Sequence, residues 1–192
     1  MSMADYKKFL AEQIEESRNV LEASKQLGEV VSTAAMKCVE SLKNGGTIFI
    51  CGNGGSAADA QHIAAELINR YKFDRRPLAC VALTTDSSNI TAIGNDSSFE
   101  YIYSKQVEAL ARKGDVLISL STSGNSKNIL AAIHAAHKKG VYTIGLTGKT
   151  GGQMRDLVGT LINIPSNDTA RIQESHHVVY HVMCDIIERE CA

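Results

Sequence analysis

Apolar residues recur along this chain in two rhythms, a helical one near the start and short continuous bursts afterwards. From Asp5 to about Lys25, Tyr6, Phe9, Leu10, Ile14, Val20 and Leu21 return at helical spacing among many charges, which predicts an amphipathic helix. A second helix is expected from Glu29 to Lys43, with Val30, Val31, Ala34, Ala35, Cys38, Val39 and Leu42 on one stripe and Gly45-Gly46 as its stop. Five short apolar runs follow, Thr47 to Cys51, Ala79 to Leu83, Val116 to Leu120, Tyr142 to Leu146 and Thr160 to Ile164, and each reads as a buried strand. Helical patterns lie between or after them: one behind the glycine-rich turn at Gly52, one from about Ser98 to Arg112, one ending at Gly140, and a last one from near Thr169 to about Glu190. Strands alternating with helices predict an α/β fold. The expected architecture is a three-layer, flavodoxin-like sandwich, with a central five-stranded parallel sheet, helices on both faces, and ligands outside the carboxyl ends of the strands.

One domain over residues 1–192 is expected, with an N-terminal helical extension to about residue 44. The chain offers more helices than the two faces of one such sheet need. The stripe of Tyr6, Phe9, Leu10 and Ile14 is therefore expected to be buried against another subunit.

Charge adds an exclusion. Lys and Arg number 20 against 21 Asp and Glu, a net charge of -1, so nothing electrostatic calls for nucleic acid or a membrane surface. No apolar run is long enough to span a bilayer, and the first residues have neither a basic nor an apolar leader region, so a cytoplasmic location is expected. Cys38, Cys51, Cys80, Cys184 and Cys191 include no C-x-x-C pair, and reduced, mostly buried thiols are expected.

Chemistry concentrates at two strand ends. After the first strand, Gly52-Asn53-Gly54-Gly55-Ser56 turns the chain into a helix, with glycines for a sharp turn and close ligand approach and Ser56 as the expected N-cap. On that helix His62 and Glu66 stand four residues apart, on one face, able to hold a divalent metal or to work as acid and base. After the third strand, Ser121-Thr122-Ser123-Gly124-Asn125-Ser126 carries four hydroxyls in six residues at a helix start, which suits a phosphomonoester or a simple capped turn. Neither loop has the P-loop or dinucleotide pattern.

Taken together, Cys-Gly-Asn-Gly-Gly-Ser, Ser-Thr-Ser-Gly-Asn-Ser and the late Ala-Arg-Ile-Gln-Glu resemble the sugar isomerase (SIS) fold family over essentially the whole chain, and within it the phosphoheptose isomerase family. That resemblance implies interconversion of D-sedoheptulose 7-phosphate and D-glycero-D-manno-heptose 7-phosphate, a step toward ADP-heptose for lipopolysaccharide or capsule, by a homotetramer with one zinc ion per subunit. It implies His62, Glu66, Gln173 and His181 as metal ligands. It also implies substrate contacts from Asn53, Gly54, Gly55, Asn95, Asp96, Ser121, Thr122, Ser123, Ser126 and Gln173, to which Ser56 is added as part of the same turn. Glu66 and His181 are the candidates for moving the proton. Helix spacing leaves the ligand set open: Gln173 and His181 lie eight residues apart, about 12 Å of helix rise, and His177 lies four from each. A replication-initiator-associating protein of similar fold, which binds without catalysis, is the competing resemblance, carried by Ala57 to His62 and Tyr103 to Val107. A sugar-phosphate-sensing regulatory domain is a third.

Overall fold

In the computed structural model, which describes residues 2–192, the five expected strands are all present and all parallel. The chain runs through α1 (Met3–Ser24), α2 (Gly28–Lys43), β1 (Ile48–Gly52), α3 (Gly55–Ile68), β2 (Cys80–Ala82), α4 (Ser87–Asp96), α5 (Ser104–Leu110), β3 (Val116–Leu120), α6 (Lys127–Lys139), β4 (Tyr142–Thr147), β5 (Thr160–Asn163) and α7 (Thr169–Cys191). Strand order is β2-β1-β3-β4-β5.

Side-chain alternation explains why the strands read as unbroken apolar runs. Ile48 and Ile50 of β1 join the core under α2, α3 and α7, whereas Phe49 and Cys51 join the one under α5 and α6. Each fully buried Ile, Leu or Phe contributes about 1.5–3 kcal/mol, so both cores commit the sheet to two covered faces. All five cysteines are free and buried, and burial pushes the Cys51 thiol up to about 12, which leaves it protonated and unreactive.

The order of the strands positions the ligand crevice. From β1 the chain steps outward to β2, then returns across β1 to β3 and continues the other way. The carboxyl ends of β1 and β3 thus flank the point where the winding reverses, the usual crevice of such sheets. Gly52-Asn53-Gly54 leaves one end and Ser121 the other, and the Asn53 amide exchanges two 2.8 Å hydrogen bonds with that of Asn128 across the gap.

Three local expectations are corrected. Gly54, not Ser56, is the N-cap of α3; it makes no side-chain capping bond, and its φ of 57° is one that glycine adopts freely. Ser56 lies within the first turn and is buried. The helix expected over 98–112 is broken into a single turn at Phe99–Tyr101 and α5, and an additional helix, α4, precedes it. Asp86 starts α4 by accepting from the Asn89 N–H at 3.0 Å, while Ile90 and Ile93 pack on the second core.

The first helix carries no buried residue: Tyr6, Phe9, Leu10 and Ile14 are all more than half exposed, and Leu10 and Ile14 line a groove of about 650 Å³ between α1 and α7.

Candidate active site

Two parallel helices bring the chemistry together. Gly55 at the start of α3 faces Gln173 in the first turn of α7: a Cβ at Gly55 would come within 2.7 Å of the Gln173 amide nitrogen. Seven residues further on, His62 faces Tyr180 and His181 of α7. His62 Nε2 lies 3.1 Å from Glu66 Oε1 and 3.5 Å from His181 Nε2, and ligand atoms of these three residues all lie within 4.8 Å of one another.

Two imidazoles and a carboxylate form the donor set that open zinc sites use, three protein ligands with a fourth position left for water or substrate. The protonation state fits. Burial first, then the neighbouring His62 and His177, hold the His181 pKa below its usual 6.5, which favours the neutral ring that can ligate a metal.

Gln173 lies against the glycine turn at Gly55. The intermediate position on the same face of α7 belongs to His177, whose Nε2 is 3.5 Å from Asp59 Oδ1 and whose ring centroid is 5.9 Å from that of His62. The helix spacing anticipated this, since α7 is regular throughout.

Asp59, Tyr180 and Tyr71 were not singled out by sequence. Asp59 is buried one turn before His62, and the Tyr180 hydroxyl lies 3.0 Å from His62 Nδ1. Tyr71 stacks on His181 with ring planes 20° apart and centroids 5.6 Å apart. The Tyr71 loop is held by Glu188, a fully buried carboxylate that accepts from the backbone N–H groups of Tyr71, Lys72 and Phe73 at 2.8, 2.6 and 3.1 Å and faces Arg75 Nε at 3.4 Å. Burial alone would raise the Glu188 pKa, but these three donors and Arg75 together hold it below its usual 4.5.

The hydroxyl loop forms the other half of the crevice. Ser121 Oγ and Ser126 Oγ are 3.0 Å apart, and Ser126 precedes α6 without using its side chain to cap it, so both hydroxyls and the helix start are available to an anion. A cleft of about 280 Å³ beside it is lined by Thr122, Ser123, Asn125, Gly148, Lys149 and Ser166. Asn95 and Asp96 bond each other at the exposed end of α4, and neither makes a hydrogen bond to the two loops in this chain.

His176 is fully buried behind the site, with Nε2 3.3 Å from the Thr147 carbonyl oxygen and Nδ1 unpartnered among the described residues. Burial pushes its pKa down to about 4. The folded state therefore keeps this ring neutral while the unfolded chain protonates it below about 6.5, and stability is lost as pH falls from 6.5 toward 4. Urea titrations at pH 7.5 and 5 are expected to differ by about 2 kcal/mol more in the wild type than in His176→Gln. Equal pH dependence in the two would show that the buried ring does not control it.

Comparison with known proteins identifies the family. The family model described as SIS domain matches residues 12–148, and the fold and glycine turn define a SIS-domain protein. A phosphoheptose isomerase of Helicobacter hepaticus is 54% identical over 165 residues, covering 86% of this chain and 84% of that protein. One from Aliarcobacter butzleri is 53% identical over 190 residues, 99% of this chain and 98% of that one. The solved structure of phosphoheptose isomerase from Neisseria gonorrhoeae superposes with a TM-score of 0.92 at 45% identity, covering 96% of this chain and 99% of the other. The chain belongs to the phosphoheptose isomerase family, as a sugar-phosphate isomerase of heptose biosynthesis. That places it among enzymes, not with the replication-initiator-associating binding protein. No helix among the described residues is long and apolar enough to cross a membrane.

Proposed function

We propose that this enzyme interconverts D-sedoheptulose 7-phosphate and D-glycero-D-manno-heptose 7-phosphate through an enediol, with one zinc ion held by His62, Glu66 and His181. The convergence of those three side chains on one point is the observation that carries the reading. When bound, zinc would polarise the neighbouring sugar oxygens and stabilise the negative charge that develops on them.

The protein groups supply the rest. Glu66 and His181 are the proton carriers: the Glu66 carboxylate takes a proton from C1 of the ketose and returns it to C2, while His181 gives a proton to the C2 oxygen as the enediol forms and takes one from the C1 hydroxyl as the aldehyde forms. A carboxylate offers two oxygens, so Glu66 can face the ion with Oε1, the atom near His62, and use the other for proton transfer. Tyr71, stacked on His181, limits the ring's rotation and shields it from water. Asn53, Gly54, Gly55 and Ser56 approach the sugar from one side, with Gln173 at the same turn as a substrate contact and as the fourth metal ligand that the family resemblance implies. Asn95 and Asp96 would complete the substrate contacts.

Ser121, Thr122, Ser123 and Ser126 hold the phosphate, supported by the paired hydroxyls and the α6 start. Changing Ser121 and Ser126 together to alanine is expected to raise KM roughly 100-fold, because two hydrogen bonds to a charged group are worth about 1.5–3 kcal/mol each. The phosphate belongs elsewhere if steady-state kinetics of that variant return the wild-type KM.

The metal assignment is tested by elemental analysis of His62→Ala, which is expected to lose most of its zinc because one of few ligands is gone. Full occupancy would remove His62 from the site. The exposed α1 stripe supports association into a homotetramer, with residues 1–192 as one domain and residues 1–44 as the helical extension that assembles it. A cytoplasmic setting and supply of heptose phosphate for lipopolysaccharide or capsule precursors belong to the same reading.

A further inference from the structure

His62 makes two different contacts through its two ring nitrogens. Nε2 faces Glu66 and His181, while Nδ1 lies 3.0 Å from the hydroxyl of Tyr180. Tyr180 is 1% exposed, and its ring meets that of His62 edge to face at 5.5 Å. Behind it Asp59 is 4% exposed, and its Oδ2 has no hydrogen-bond partner among the described residues. His177 Nε2 lies 3.5 Å from Asp59 Oδ1, and burial raises the carboxyl's pKa against the opposing effects of His177, His62 and the Tyr180 hydroxyl. A buried carboxylate oxygen without a donor is unfavourable, so an orphan acceptor behind an O–H that can rotate calls for an explanation.

We propose that Tyr180 and Asp59 form a positioning relay for His62 that is completed when a metal occupies the site. Without metal, Nε2–H donates to Glu66 and the Tyr180 hydroxyl donates to Nδ1. With Nε2 on the ion, the ring's proton resides on Nδ1. Tyr180 Oη then accepts from Nδ1–H, and its own O–H turns to Asp59 Oδ2. The otherwise unpartnered oxygen thereby receives its donor in the metal-bound state, and the imidazole is fixed in both orientation and tautomer. This relay rests on the proposed zinc site.

The test is a double-mutant cycle on zinc affinity, measured by competition with a chromophoric chelator for wild type, Tyr180→Phe, Asp59→Ala, which leaves no side-chain acceptor, and the double variant. Phenylalanine keeps the ring packing and removes only the hydroxyl. Each single change is expected to weaken zinc about 10–100-fold, the usual cost of losing an outer hydrogen-bond partner of a ligating histidine. The double variant should bind about as weakly as Tyr180→Phe alone, since both residues act through one hydroxyl. In zinc-loaded wild type, nitrogen-resolved NMR should show a slowly exchanging His62 Nδ1–H that is lost in Tyr180→Phe. Wild-type affinity in Tyr180→Phe, or losses that add in the double variant, would overturn the relay. Should Tyr180→Phe fail to fold, unchanged affinity in Asp59→Ala would overturn it as well. A wild-type protein that binds no zinc would instead overturn the metal site on which the relay rests.

Discussion

Replacing Glu66 with glutamine is expected to lower turnover by about 10²–10⁴-fold, the range that a well-placed general base contributes. Glutamine keeps the length of the side chain and an oxygen for the contact with His62, but it cannot take a proton from carbon. The Ser121 to Ser126 loop proposed to hold the phosphate is untouched, so the loss should appear in kcat with little change in KM. Zinc content measured on the same samples separates loss of the base from loss of the metal. A variant within tenfold of wild type, with zinc retained, would mean that Glu66 is not the base.

Removing the carboxylate of Glu188 is expected to cost about 3–5 kcal/mol of folding stability, because Glu188→Ala leaves Arg75 buried without its partner and strips three backbone N–H groups of their acceptor. In a chain of this size that corresponds to a fall in Tm on the order of 10 °C. Activity should fall too, since the same carboxylate sets the loop that stacks Tyr71 on His181. The pH dependence has a definite sign. With its pKa held below 4.5 in the fold, Glu188 stabilises the protein above 4.5, and that contribution is lost as pH falls further. Calorimetry giving an unchanged Tm for Glu188→Ala would show that the loop is held by other contacts.

Glu66 was legible in the sequence and Glu188 was not. The strands could be read because most of their positions are buried on one face or the other and so carry mainly apolar runs, and His62 with Glu66 could be read because both sit on one helix turn. α4 could not: only Ile90 and Ile93 mark its buried side, and Thr84 to Ser88 carries the hydroxyls and aspartate of an ordinary loop. Glu188 contacts a loop 117 residues earlier in the chain, and nothing local distinguishes it from the solvated charges at the end of α7. The parallel alignment of α3 with α7 is equally non-local. It selects His181, not Gln173, as the residue opposite His62, and it makes Tyr180 and Asp59 neighbours.

The most direct test follows sedoheptulose 7-phosphate by NMR with metal-stripped protein, before and after one equivalent of zinc is added. The aldose 7-phosphate is expected to form only after zinc is restored, and to form far more slowly when the restored protein is His62→Ala. Full conversion by the stripped protein, unchanged on adding zinc, would contradict a catalytic metal at His62, Glu66 and His181.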